Sequence, residues 1–222
     1  MKLVHYFFDE PLEWEKTYIH TLVIENPKLY RTLILEFMAQ QEGFSGKFVL
    51  SDDIEILDIH KYCELITDIL TLNPSENKKM ISAIQKEIAT IANHEMPEKL
   101  SVLYENINSL IYDIIFMSGM DISFDEINDI SAILKIHNVR PDTDEFSLPE
   151  KLLSYIELCE KYLGKKLFVI LNFHSYCSQE EIEIFFKDIV YRKNKILLLE
   201  SHIDTISKYE KVRIIDKDMC EI

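Results

Sequence analysis

Glycine is scarce: Gly43, Gly46, Gly119 and Gly164 are the four in a chain of 222 residues. They cannot make G-x-x-x-x-G-K-[ST], so no loop of backbone N–H groups cradles a triphosphate. G-x-S-x-G is missing too, which removes the strand-to-helix elbow of an esterase-type nucleophile. The four cysteines, Cys63, Cys159, Cys177 and Cys220, are widely spaced with no C-x-x-C pair. That excludes a zinc knuckle or a thioredoxin-type site and points to buried thiols. No apolar run reaches the roughly 18 residues of a membrane span. The opening stretch MKLVHYFFDEPLEWEK is too acidic, and its apolar part too short, for a secretory signal. A cytoplasmic location without membrane contact is expected.

Positive charge is the other shortage. Lys and Arg number 24 against 39 Asp and Glu, a net charge of −15. Binding to nucleic acid is dominated by Lys and Arg, so the chain is no general nucleic-acid coat. A negative whole can still carry a local positive lining.

What is present reads as α/β. KLVHYFF, YIHTLVIE, GKFVLSDD and IEILDI have strand composition, and ENPKLYRTLILEFMAQQEG between them reads as a helix. Asn26 caps that helix, Pro27 takes its first position and Gly43 ends it. YCELITDIL reads as a strand ending near Asp68. The middle is helical: a helix opening at Asn73-Pro74, a second from Pro97 to Gly119, and a third over FDEINDISAILKIHN. The two long helices, joined by a short turn, predict an antiparallel hairpin projecting from a sheet domain. The last third returns to strand, helix, strand: KKLFVILNF, SQEEIEIFFKDIVYRKN with a Ser178/Glu181 capping box, KILLLES and KVRIID. That order predicts a parallel crossover.

Three groups of residues invite a functional reading. Asn172 and His174 end a buried strand, where open α/β sheets usually hold ligands. Cys177 and His202 lie nearby in this reading and raise the option of a strand-end enzyme, a hydrolase or a nucleotide-dependent phosphotransferase. The bland alternative is that Asn172 bonds to a neighbouring loop. Asp121, Ser123, Asp125, Glu126 and Asp129 fall within nine residues. Hard oxygen donors so close together suit calcium, although the spacing is not that of an EF-hand. The alternative is that Asp125 and Glu126 face a helix dipole at a helix start. Finally, Lys78, Lys79, Lys86 and Lys99 sit in the helical part, with Lys79 and Lys86 on one face. In one copy they are a solvated face; in a symmetric ring they would line a hole.

The order of several short stretches is familiar. FFDEPLEW, LITDIL, MPEKLSVLYENINSLIYDIIF, MDISFDEI and YLGKKLFVILNFHSYCSQEEIEIFFKDIVYRKNKILLLES together resemble the small accessory proteins of type II-A CRISPR loci that act in spacer acquisition. The resemblance implies an α/β fold: a degenerate phosphate-loop-ATPase-like sheet domain without its Walker A loop, with an inserted α-helical leg. Residues 1–68 and 137–222 would form the head and 69–136 the leg. It implies a homotetrameric ring with calcium ions, holding linear double-stranded DNA ends against Lys78, Lys79, Lys86 and Lys99. It implies no catalysis and no nucleotide, and a place beside the CRISPR integrase complex and the RNA-guided effector nuclease. Calcium would fall to Asp121, Ser123, Asp125 and Glu126. Ser123 and Ser131 stand where the family carries acids. Asn172 and His174 would mark a vestigial strand-end site. A protein-interaction scaffold without nucleic acid is the other reading besides the enzyme.

Overall fold

The computed structural model describes residues 1–143 and 145–222. In chain order the elements are β1 (Lys2–Val4), β2 (Leu12–Glu13), β3 (Ile19–Ile24), α1 (Pro27–Gln41), β4 (Val49–Asp52), β5 (Glu55–Leu57), α2 (Ile59–Tyr62) and β6 (Cys63–Ile66). There follow a 3-10 turn (Pro74–Glu76), α3 (Lys78–Glu95), α4 (Pro97–Ser118) and α5 (Ile130–Ile136). The chain closes with α6 (Leu148–Leu163), β7 (Leu167–Leu171), α7 (Gln179–Arg192), β8 (Lys195–Glu200) and β9 (Glu210–Ile215). Two compact units result: Met1–Pro74 with Thr143–Ile222, and Ser75–Asp142. The expected junctions at 68/69 and 136/137 fall a few residues earlier.

The first unit holds two sheets. Five parallel strands run in the order β6-β7-β8-β3-β9. Their central members are mostly apolar because helices or other strands cover both faces: β3, β7 and all of β8 but its first residue are buried. The other four strands make an antiparallel sheet, β2-β1-β4-β5. So β3 leaves its sequence neighbours and pairs with β8 and β9 from the far end of the chain. Alternation along the parallel strands builds two apolar layers. Leu22, Ile24, Leu167, Val169, Leu197 and Leu199 pack with α1 and the antiparallel sheet through Leu29, Leu33, Phe37, Leu3 and Leu50. α7 packs against β3, and the rings of Phe173, Phe185 and Phe186 meet at 4.8–6.2 Å.

Local chemistry sets the helix ends. Asn26 Oδ1 accepts the Lys28 and Leu29 amides at 3.0 and 3.1 Å. α7 starts with the Ser178/Glu181 capping box. Gly119 and Gly164 stop α4 and α6 in the left-handed region, at φ 65° and 67°, where a side chain would be strained.

Three elements differ from expectation. The first strand stops at Val4, and the chain turns with the Phe8 amide bonded to His5 O at 2.9 Å. The first helix of the insertion starts at Lys78, because Asn77 rather than Asn73 caps it; Pro74–Glu76 makes only the 3-10 turn. The third helix starts at Ile130, because Asp129 takes the Ser131 amide at 2.9 Å. Asp125 and Glu126 therefore stand before the helix, outside its first turn, and the helix-dipole explanation for them fails.

Within the second unit the chain runs one way along α3 and α4 and returns along 120–141. α3 and α4 are joined by one residue, Met96. The i to i−4 ladder survives on both sides of it, Met96 N to Ala92 O at 2.9 Å and Leu100 N to Met96 O at 3.1 Å. Pro97 removes the donor between them. The return path runs along 120–141. Asn108 Nδ2 donates to Ile127 O at 3.1 Å, and Ile127 N donates to Asn108 Oδ1 at 2.9 Å. Nearer the start of the unit, Gln85 donates to Val139 O at 2.9 Å and Ser75 to Pro141 O at 2.5 Å. α3 touches α5 more extensively than it touches α4. The hairpin thus turns at Gly119, after α4, instead of between the two long helices.

Candidate functional site

At the carboxyl end of β7, Asn172 adopts φ 51°, a conformation Asn tolerates better than most residues. Its Oδ1 accepts the Tyr30 hydroxyl at 2.9 Å, and the same hydroxyl reaches Leu199 O at 3.1 Å. Ser201 adds a longer bond to Asn172 at 3.4 Å. Asn172 is thus occupied in tying α1 to the ends of β7 and β8. Burial, together with the charge of Glu200, pushes the Tyr30 phenol up to about 12, so it stays a donor at neutral pH.

His174 has a different setting. Its side chain is buried, as are those of the two carboxylates beside it. Nδ1 stands 3.1 Å from Glu200 Oε1 at the end of β8, and Nε2 stands 3.4 Å from Glu210 Oε1 at the start of β9. The His174 amide also donates to Glu200 Oε1 at 3.1 Å. Glu210 accepts the Thr21 hydroxyl on β3 and the Ser207 amide. Burial alone would lower the imidazole, but the bonds to Glu200 and Glu210 and their charges outweigh it and push His174 up to about 9. Burial would raise Glu210, yet His174, Thr21 and the Ser207 amide hold it below the usual carboxylate range. At neutral pH an imidazolium therefore lies between two buried carboxylates and joins the turn after β7 to β8, β3 and β9. Glu200 Oε2 and His174 Nε2 are buried without a well-aligned hydrogen bond among the described residues, so Glu210 meets the ring as an ion pair.

A cavity of about 270 Å³ opens beside this cluster, lined by His174, Cys177, His202, Asp204 and Thr205 among others. Burial and the charges of Glu181 and Glu200 push the Cys177 thiol up to about 12, so almost none of it is thiolate at neutral pH. His202 is exposed and turned to Asp204 at 2.8 Å. The cavity has neither an activated sulfur nor a base directed at one. A larger cavity, about 540 Å³, lies by the amino end of β3. Glu10, Glu13 and Glu15 share its wall with Lys16, Lys211 and Arg213, and the three carboxylates make it a poor place for a triphosphate. The Arg213 guanidinium donates to Glu10 O and Pro11 O at 2.6 and 2.9 Å.

In the helical unit Lys78, Lys79, Lys86 and Lys99 are all exposed. Lys79 and Lys86 share an exposed face of α3, apart from Met80, Gln85 and Ala89, its buried residues; Lys99 lies in the first turn of α4. Asp121, Ser123, Asp125 and Glu126 lie on the irregular strap 120–129. Glu126 accepts the Tyr112 hydroxyl at 2.8 Å, and the Tyr112 ring meets Phe124 edge-on at 4.8 Å. Asp121, Asp125 and Glu126 thus offer carboxylate oxygens, and Ser123 a hydroxyl, the hard donors that calcium takes.

α4 itself carries a feature that the charge pattern hides. Met96, Leu100, Leu103, Ile107, Leu110, Ile114 and Met117 recur at alternating steps of four and three residues. Among the described residues only Leu100 of the helix is buried; Leu110 is 60% exposed and Met117 76%. This is a heptad stripe with Ile at two of its a positions and Leu at two of its d positions. The strap covers a different side, through Asn108 and Tyr112.

A family model described as CRISPR-associated protein (Cas_Csn2) matches residues 40–219. The chain belongs to the Cas_Csn2 family. A CRISPR-associated protein Csn2 from Streptococcus agalactiae is 26% identical over 214 residues, covering 95% of this chain and 92% of its own. Membership places the chain in a CRISPR system. The Cas_Csn2 match contains every sequence-predicted site residue, the four lysines, the acidic strap, and Asn172 with His174. It also spans Glu200 and Glu210, which sequence reasoning missed. Their signal was present: a carboxylate ends the apolar run KILLLE and another opens EKVRII, where a buried acid demands a partner. Among the described residues no helix is long and apolar enough to cross a membrane.

Proposed function

We propose that this Cas_Csn2 chain is a non-catalytic protein that closes into a ring, four copies by the reading above, and holds the ends of linear double-stranded DNA while a CRISPR system acquires new spacers. The observation that carries the reading is the open stripe on α4. Exposed apolar patches of this regularity mark association surfaces, and a second copy of the same stripe fits a two-stranded seam. Association would bring together exposed lysines that one acidic copy keeps apart. Their contacts would go to phosphates, independent of sequence and weakened by salt. A closed ring admits a linear end and rejects a covalently closed circle.

The sheet is read as that of a phosphate-loop ATPase without its loop. Asn172, engaged by Tyr30, and Cys177, held as the neutral thiol, support a strand end without chemistry. Calcium belongs to the assembled form in this reading: Asp121, Ser123, Asp125 and Glu126 would be completed by oxygen donors from another copy. The integrase complex and the RNA-guided effector nuclease are its working partners.

The test is a gel shift with linear and covalently closed duplexes at low and high salt, with calcium or with chelator, alongside solution mass by light scattering. Linear duplex should be retained at low salt and released at high salt, with circles passing through. Lys78→Glu, Lys79→Glu and Lys86→Glu together should weaken retention by about tenfold or more, each lost phosphate contact steepening the deficit at higher salt. Equal retention of circles removes the ring; no retention of linear duplex removes DNA and leaves the scaffold.

A further inference from the structure

A second apolar surface lies in the sheet unit, and its surroundings differ from those of α4. The register of the antiparallel sheet decides which residues face out. Leu3 pairs with Leu50 and Leu50 with Leu57, and all three are buried. Val4 pairs with Val49, and Ser51 with Ile56, on the opposite face. A half-buried antiparallel sheet ordinarily alternates apolar inward with polar outward. Here the outer face offers Val4, Val49 and Ile56, the last 74% exposed, and Ile54 stands 99% exposed in the β4–β5 turn. Beside them Phe44, 68% exposed, shares a groove of about 260 Å³ with Phe48, Val49 and Ile56.

Around the two isoleucines the charge is acidic; Lys2, on the same outer face opposite Ser51, is turned to Glu13 at 2.7 Å. Asp53, Glu55 and Asp58 are exposed around the two isoleucines, and no Lys or Arg occurs between Lys47 and Lys61. Carboxylates on an edge strand are a common defence against unwanted strand pairing. That explains Glu55 on β5, the outermost strand; it does not explain two isoleucines left in water between the acids. An apolar centre with a charged rim has the anatomy of a protein interface, the rim selecting the partner by sign.

We propose that the β4–β5 hairpin and the groove at Phe44 form a docking surface for a Lys- and Arg-rich segment of another protein, which seats an apolar side chain against Ile54 and Ile56. Charge decides among the occupants. Another copy of this chain, at −15, would bring like charge to the rim, whereas the α4 stripe is flanked by Tyr104, Asn106 and Ile111 with Asp113 as its one acid, and suits like on like. Nucleic acid would meet carboxylates with phosphates. A protein that itself handles nucleic acid has the cationic surface that fits.

The test uses the intact protein on a sensor surface, with the integrase and the RNA-guided nuclease of the same CRISPR system as probes, a choice that rests on the function proposed above. Ile54→Ser with Ile56→Ser removes the apolar centre; Asp53→Lys with Glu55→Lys reverses the rim. All four side chains are exposed, so circular dichroism and solution mass should not change. At least one probe should bind the wild-type chain in a salt-sensitive way, and each double variant should weaken it about tenfold or more, the size expected of an interface centre. The proposal is overturned if neither probe binds, if both bind the variants as they bind wild type, or if the variants change the mass, which would assign the face to contact between copies. DNA retention measured on the same samples separates the two readings: its loss in the wild-type chain condemns the ring and leaves the hairpin result standing.

Discussion

Two apolar helices of this chain meet opposite fates. α6, with 16 residues, buries Pro149, Leu152, Leu153, Tyr155, Ile156 and Cys159. α4, with 22 residues, buries Leu100. The parallel sheet satisfies its own demands: its apolar strands are covered, and even its buried imidazolium has carboxylates on both sides. The helical unit leaves a regular apolar stripe in water. Stability in the first is a property of one copy, whereas full burial in the second requires something the single chain does not contain.

The sharpest way to break that contrast is to unbalance the sheet unit from within. Replacing His174 by Gln leaves Glu200 and Glu210 buried without their cation, at a cost of about 3–5 kcal/mol at neutral pH, measurable by urea unfolding. The pH course carries the sign. His174 is raised from its ordinary 6.5 to about 9 in the folded chain, so its contribution is complete below 6.5 and fades as pH rises through about 9. The gap between wild type and variant should narrow over that window; a gap of constant size from pH 6 to 10 would contradict the imidazolium.

The next effect should appear in assembly and leave the fold intact. Leu110→Glu with Ile114→Glu puts carboxylates into the α4 stripe. Association should weaken about a hundredfold, roughly 3 kcal/mol, with helix content unchanged by circular dichroism. Should the mass stay that of wild type, the stripe is not the seam. The smallest effect is local. Asn108→Ala removes both bonds to Ile127, worth roughly 1–2 kcal/mol. Hydrogen exchange should quicken across 120–129 with the sheet unit unaffected; equal quickening in both units would mean that the strap is not an independent element.

Much of the sheet unit was legible because its signals are local. Asn26-Pro27 starts α1, Ser178 with Glu181 starts α7, and the runs LFVIL and ILLL are apolar without a break, as strands covered on both faces must be. The His174 cluster was not legible, since its members lie 26 and 36 residues apart and meet only when β8 and β9 pair with β3. In the helical unit, composition misled at a cap. Asp125 and Glu126 look like a first turn, but Asp129 is the residue whose carboxylate takes an amide. The stripe on α4 was legible as helical spacing. Its exposure was not, because periodicity says which residues share a face and is silent on what that face meets.

The one-residue joint at Met96 has a consequence of its own. A helix advances by about 100° per residue, and the ladder is intact immediately before and after the joint. The row of Lys79 and Lys86 on one rod and the stripe on the other are therefore keyed to each other in phase, like two teeth on a crankshaft. Inserting a single residue there would leave every side chain present and every helix folded, and would turn one set away from the direction the other dictates.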